Sequence, residues 1–120
     1  MMDKYYEKLS NEIKNMINSD NIVIFSGKLC KYCDDAKLLL TNNNYVYIDI
    51  KIAKGSEIWE ELYDITGQST IPYIWVNNQF IGGLNSGNES WMGLAPLIKN
   101  NKFQGLYDKI LVTYDSDDEF

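Results

Sequence analysis

Cys30 and Cys33 are the only cysteines in a chain of 120 residues that has no histidine, and their position narrows the possible folds sharply. They follow Ile22-Val23-Ile24-Phe25, a β-branched run long enough for a buried strand. Ser26-Gly27 breaks that run. Beyond the pair, Cys33, Ala36, Lys37 and Leu40 lie along one side of a helix that ends at Asn42-Asn43-Asn44. The cysteines therefore sit where a strand hands over to a helix N-terminus. A structural zinc site takes four Cys or His ligands, and this chain offers two. A lone crosslink or half of an intermolecular metal site stays open. Closing so short a loop would stabilise little, however, and a reducing compartment would tend to open it. Redox chemistry is the better use of the pair.

Its length fits one domain with one continuous core. Leu9, Ile13, Met16 and Ile17 recur at helical spacing, predicting an N-terminal helix over about 3–19. Tyr45 to Ile50 alternates and predicts a strand with Val46, Ile48 and Ile50 on one face. Ser56 should cap a helix carrying Ile58, Trp59, Leu62 and Ile65, with Gly67 as its stop. Tyr73-Ile74-Trp75-Val76, Asn77-Asn78 and Gln79-Phe80-Ile81 read as a hairpin, because asparagine tolerates positive φ. A polar stretch, Asn85 to Ser90, precedes a last helical region from about Trp91 to Leu111, whose continuity Pro96 and Gly105 leave open. The fold class is α/β, a small mixed four-stranded sheet with helices on both faces and an extra N-terminal helix. The first two strands should be parallel through a right-handed crossover, and the last two antiparallel. The domain should run over about 1–110, with a core from about 21, followed by a disordered acidic tail at 111–120.

Net charge is −6, which disfavours broad attraction to nucleic acid or an anionic membrane. The N-terminus is too charged for a signal peptide, and no apolar run approaches the roughly 20 residues that span a bilayer. The expectation is a soluble, cytoplasmic monomer that binds neither nucleic acid nor membrane and holds no metal through its own side chains.

At the helix N-terminus, partial positive charge and free N–H groups favour a thiolate at Cys30, and Lys28 and Lys31 push the same way. Lowering a thiol from ~8.5 to ~5 raises its thiolate population at pH 7 about thirtyfold. Nucleophilicity falls by a similar factor, since it follows pKa with a slope of about 0.4–0.5. The net gain lies in the second step, where a low-pKa Cys30 leaves easily. Cys33, one turn further in, should be buried and able to attack a mixed disulfide on Cys30.

From Ile22 to Gly83 the chain resembles a glutaredoxin. Cys30-Lys31-Tyr32-Cys33 looks like that family's Cys-Pro-Tyr-Cys, Gly67-Gln68-Ser69-Thr70-Ile71-Pro72 is similar to its Gly-Gln-x-Thr-Val-Pro, and Phe80-Ile81-Gly82-Gly83 to its strand ending in paired glycines. The resemblance implies a thioredoxin-like fold and a dithiol oxidoreductase, with Cys30 attacking, Cys33 resolving and glutathione as reductant. It implies a cis Pro72 that frees the backbone of Ile71 to pair with glutathione. It also implies Tyr32 beside the sulfur, Gln68 reaching the glycine carboxylate, Thr70 in the same loop, and close approach of the ligand over Gly82 and Gly83. Substrates would be glutathionylated or disulfide-containing proteins, ribonucleotide reductase among the candidates.

Three positions depart from the family pattern. Gly27 stands where a lysine or arginine is usual, leaving Lys28 as the candidate cation. Leu84-Asn85-Ser86 replaces a Ser/Thr-Asp step that holds the γ-glutamyl end, within an apparent insertion, and Lys31 replaces proline. Without that proline, a glutathione-ligated [2Fe-2S] cluster between two subunits is an alternative. A thioredoxin is the rival enzyme, and a redox-inert interaction module the rival of a different class.

Overall fold

In the computed structural model, which describes residues 3–109, the sheet order is β2-β1-β3-β4. The strands are β1 (Ile22–Ser26), β2 (Ile48–Lys51), β3 (Tyr73–Val76) and β4 (Gln79–Gly82). The first two pair in parallel, while β1 with β3 and β3 with β4 run antiparallel. This is the predicted mixed sheet. Every residue of β1 is buried, because it lies inside the sheet and both of its faces are covered. Val23 and Phe25 point into one core layer; Ile22 and Ile24 point into the other.

The first layer is closed by helices α1 (Lys4–Glu7), α2 (Asn11–Ile17) and α4 (Glu57–Thr66), through Tyr6, Ile13, Ile17 and Leu62. The second is closed by α3 (Lys31–Asn42), α5 (Leu94–Lys99) and α6 (Phe103–Tyr107), through Ala36, Leu40, Leu97 and Phe103. Helix α4 is bounded as read. Ser56 Oγ accepts from the Trp59 N–H, and Gly67 ends the helix at φ 78°, a left-handed conformation that glycine adopts without steric cost. Asn77 and Asn78 both take positive φ, at 49° and 68°, giving the tight turn between β3 and β4.

Three expectations need correction. The N-terminal segment is two helices, broken at Ser10, which takes an extended conformation and caps α2. Its N–H donates to the Glu61 carboxylate of α4, so the break is fastened to a neighbour. The apolar spacing could not reveal this, since Leu9 and Ile13 are buried on either side of it. The predicted face of the Tyr45–Ile50 strand also fails. Only residues from Ile48 onward form β2, Val46 is 74% exposed, and Tyr45 and Tyr47 pack on the second core layer instead. An edge strand has one neighbour, so alternation there carries less information. Finally, the last helical region starts at Leu94 and breaks at Asn100–Asn101, where Asn101 takes φ 59°. Pro96 lies in the first turn of α5, where its missing N–H would have had no helical partner, and Gly105 lies inside α6. Residues 110–111 of that prediction and the acidic tail lie outside the described residues.

Beside the end of β1, Asp49 collects three donors. Ser26 Oγ bonds one carboxylate oxygen, and Lys37 Nζ at 3.0 Å and Lys51 Nζ at 3.2 Å bond the other. Burial alone would raise its pKa, but these hydrogen bonds outweigh burial and hold it below 3.8. A carboxyl lowered in the folded state contributes stability that is complete above the unfolded value and is lost as pH falls through the folded one. Asp49→Asn should therefore lower stability at pH 7 by about 1–3 kcal/mol and flatten the decline below about pH 4, measured by urea unfolding across pH.

Candidate active site

Cys30 is the N-cap of α3, at φ −113° and ψ 102°, and forms a disulfide with Cys33. One helical turn separates them, with their Cα atoms 5.2 Å apart. The Cys33 N–H points at Cys30 Sγ, 3.1 Å away, as a donor that would serve a thiolate equally well. Cys33 is 0% exposed, whereas Cys30 is only partly covered. The first sulfur is thus the one a substrate can reach, and the second can be approached only from the first. Lys28 and Lys31 are both exposed, and Lys31 pairs with Asp35 at 3.2 Å. Their fields are screened by water, so the helix N-terminus is the stronger influence on Cys30.

A cleft of about 420 Å³ opens at Tyr32, the residue between the two cysteines, neither of which is among its lining residues. Tyr32, 59% exposed, stands on one side. Gln68, Thr70, Ile71 and Pro72 line it too, and Gly83 to Asn88 complete its wall. The Ile71–Pro72 peptide bond is cis, as the resemblance implied. Gln68 does something other than reach outward. Its Nε2 donates to the carbonyls of Thr70, at 2.8 Å, and Pro72, at 3.0 Å, while its own carbonyl accepts from the Tyr73 hydroxyl. Burial pushes that tyrosine up to about 12. With Nε2 committed, Gln68 shapes the loop and has no donor left for a carboxylate. Between the two carbonyls it holds, the N–H and C=O of Ile71 take part in no hydrogen bond among the described residues. That is an open backbone edge on the cleft.

The paired glycines have different tasks. Gly83 lines the cleft, and a methyl there would meet only ordinary contacts, the closest being Pro72 O at 3.5 Å. Gly82 does not line it. At φ 93° a methyl would sit 2.8 Å from Ser86 O and 2.9 Å from Gly87 Cα, so Gly82 is needed by the chain's own returning loop. Lys28, too, is absent from the cleft lining. A Cβ at Gly27 would lie 2.8 Å from Ile71 Cδ1, the free end of a flexible side chain, and 3.3 Å from Ile52 O, so a side chain there needs Ile71 to turn aside.

Leu84, Asn85, Ser86, Gly87 and Asn88 are cleft residues that the sequence reading did not assign as binding residues. A polar stretch after paired glycines was the available signal, but polarity alone does not distinguish a wall from a loop. Leu29, fully exposed at φ 51° immediately before Cys30, was also missed.

Gly82→Ala should destabilise the fold by about 3 kcal/mol or more, since the backbone conformation and the backbone contacts both oppose it. Gly83→Ala should unfold within about 1 kcal/mol of the parent yet narrow the cleft. Denaturant unfolding of both variants checks the asymmetry.

Comparison with known proteins places this geometry. Residues 22–81 match the family model for glutaredoxin. Over 76 residues the chain is 41% identical to glutaredoxin-2, mitochondrial, of Rattus norvegicus, covering 61% of this chain and 48% of that one. Over 90 residues it is 33% identical to the glutaredoxin of Ricinus communis, covering 71% of this chain and 88% of that one. The chain thus spans about half the length of the mammalian relatives it matches. A buckwheat glutaredoxin–glutathione complex superposes with a TM-score of 0.70 at 23% identity, over 89% of this chain and 94% of that one, a likeness of fold. With the model spanning half the sequence and the dithiol at the strand-to-helix junction, the chain belongs to the glutaredoxin family.

Proposed function

We propose that this chain is a glutathione-dependent thiol–disulfide oxidoreductase, acting on protein disulfides and glutathionylated proteins. The observation that carries this reading is the Cys30–Cys33 pair, one sulfur accessible and one buried, beside a cleft with an open backbone edge at Ile71. In the reduced form, the Cys30 thiolate attacks the glutathione sulfur of a mixed disulfide. A Cys30–glutathione disulfide forms, the substrate's S–S bond breaks, and its thiolate leaves and takes a proton from water. A free glutathione thiolate then attacks the glutathione sulfur on Cys30. Oxidised glutathione leaves, and the Cys30 thiolate returns. With a protein disulfide, Cys30 first forms a mixed disulfide with the protein. Cys33, deprotonated, then attacks Cys30 Sγ, releasing the reduced protein and leaving the Cys30–Cys33 disulfide for two glutathione molecules to reduce.

Glutathione fits the cleft as a short extended peptide, pairing with the Ile71 N–H and C=O as an added strand does. The buckwheat neighbour carries that ligand on the same fold. Lys28, exposed and two residues before Cys30, remains the candidate cation for a carboxylate. A reducing compartment such as the cytoplasm, and a monomeric state, complete the reading.

Turnover of a glutathione mixed disulfide, coupled through glutathione reductase and NADPH, tests it. Cys30→Ser should abolish turnover, while Cys33→Ser should retain it for the mixed disulfide and lose it for protein disulfides. Absence of turnover in the intact protein overturns the reading. Visible absorbance after anaerobic reconstitution with iron, sulfide and glutathione would then put a cluster carrier in its place.

The Gly27–Ile71 contact gives a second test. Gly27→Lys should lower KM more in an Ile71→Val background than alone, by about threefold, because Ile71 Cδ1 occupies the space the new side chain needs.

A further inference from the structure

The cleft wall at 84–88 replaces the family's usual carboxylate with no acidic residue of its own. The nearest carboxylate in sequence, Glu89, is bonded elsewhere. Its Oε2 accepts from the Tyr5 hydroxyl at 2.9 Å and pairs with Lys4 Nζ at 3.3 Å; its Oε1 accepts from Trp91 Nε1 at 2.9 Å. Hydrogen bonds from Trp91 and Tyr5, and then Lys4, hold the carboxyl below its usual range, so it is ionised at neutral pH. One side chain thus joins α1, the end of the wall and the segment leading into α5.

The α1 end of this junction is firmly seated. Asp3 caps α1 through the Tyr5 and Tyr6 N–H groups, Tyr6 is buried, and the Tyr5 ring packs edge-on against Phe80 of β4 at 5.4 Å. The wall is also tied by Asn88, whose Nδ2 donates to the Thr66 carbonyl at the end of α4. Its backbone is held as well, by the Gly83 N–H on the Ser86 carbonyl and the Ala95 N–H on the Leu84 carbonyl. Of these ties, the one through Glu89 is the one that depends on the extra N-terminal helices.

We propose that Glu89 is a positioning residue: through Tyr5 and Lys4 it makes α1 the support that holds the 85–88 wall in place for glutathione. The role follows from geometry: Glu89 is not among the residues lining the cleft, and its hydrogen bonds and ion pair go to Tyr5, Trp91 and Lys4. It rests on the glutathione reading above. These partly exposed bonds add little to global stability, so their loss should be felt locally, as opening of the wall.

The test compares Tyr5→Phe, Glu89→Ala, Glu89→Gln and the Tyr5→Phe/Glu89→Ala double variant in the full chain. Tyr5→Phe removes one hydroxyl and keeps the ring on Phe80, so it leaves the fold intact. Steady-state kinetics on a glutathione mixed disulfide, thermal unfolding, and hydrogen exchange over 84–92 are measured for each. Tyr5→Phe and Glu89→Ala should raise KM about three- to tenfold with kcat within about twofold. The Tm should fall by no more than about 3 °C, with faster exchange confined to 84–92. The double variant should be no worse than Glu89→Ala, and Glu89→Gln, which keeps a carbonyl acceptor, should recover part of the loss. Unchanged KM in Tyr5→Phe and Glu89→Ala, or effects that simply add in the double variant, overturn the proposal. A parent protein without turnover overturns the glutathione reading instead. The exchange data then decide separately whether Tyr5 and Glu89 hold the wall.

Discussion

The burial of β1 on both faces is the constraint from which the site follows. A strand enclosed by two core layers cannot slide or tilt without exposing Val23 and Phe25 on one side or Ile22 and Ile24 on the other, each worth about 1.5–3 kcal/mol when buried. Its C-terminal end is thereby fixed, and the chain must leave the sheet at Ser26-Gly27. Helix α3 then has to start within a few residues in order to lay Ala36 and Leu40 against the same sheet. Cys30 becomes the N-cap, the one position where a side chain meets several free N–H groups. The reactive sulfur is placed by packing that has no chemistry of its own.

The cleft is assembled from three segments that are ordered by different means. Tyr32 rides on α3. The 68–72 loop is held by internal hydrogen bonds, with Gln68 taking the carbonyls on either side of Ile71 and Tyr73 taking the Gln68 carbonyl. The N–H and C=O of Ile71, between the two carbonyls that Gln68 holds, are left to solvent on the cleft side, where an extended peptide could pair with them. The third segment, 84–88, is long and polar, and Gly82 and Gly93 allow it to fold back on itself closely enough for Ser86 to bond Gly83.

Much of this was legible in the sequence, and the reason differs from element to element. The strand β1, the hairpin with its two asparagines, and the cap and stop of α4 were readable because each is decided by neighbours along the chain. The break at Ser10 was not readable, since its partner Glu61 is 51 residues away. The face of β2 was misread because alternation reports burial only where the strand has cover on one side, and Val46 has none. In the site, residue types at fixed spacing pointed to the Cys30–Cys33 pair, and the resemblance to a family motif implied the cis bond found at Pro72. They could not show that Gln68 turns inward, because an amide is equally suited to a ligand and to a carbonyl of its own loop.

Gly82 and Gly83 make the same point more sharply. As a pair they resemble a smooth floor beneath a ligand, and sequence treats them alike. Their φ angles and surroundings separate them: one is committed to the backbone of the returning loop, the other borders open space. Gly27 is less constrained than Gly82, since its nearest neighbour is the δ-methyl at the free end of the Ile71 side chain. Gly27 meets Ile71, a cleft residue, and 84–88 lines the cleft itself; at both, contact within the chain stands where the resemblance implies a charged side chain. Recognition there then depends less on point charges than on how rigidly the backbone is held. Rigidity supplied by hydrogen bonds and packing is local and weakly sensitive to salt, whereas an exposed lysine's grip on a carboxylate fades with screening. On this reasoning, the extra N-terminal helices and the long polar loop belong together, as the support and the surface of one wall.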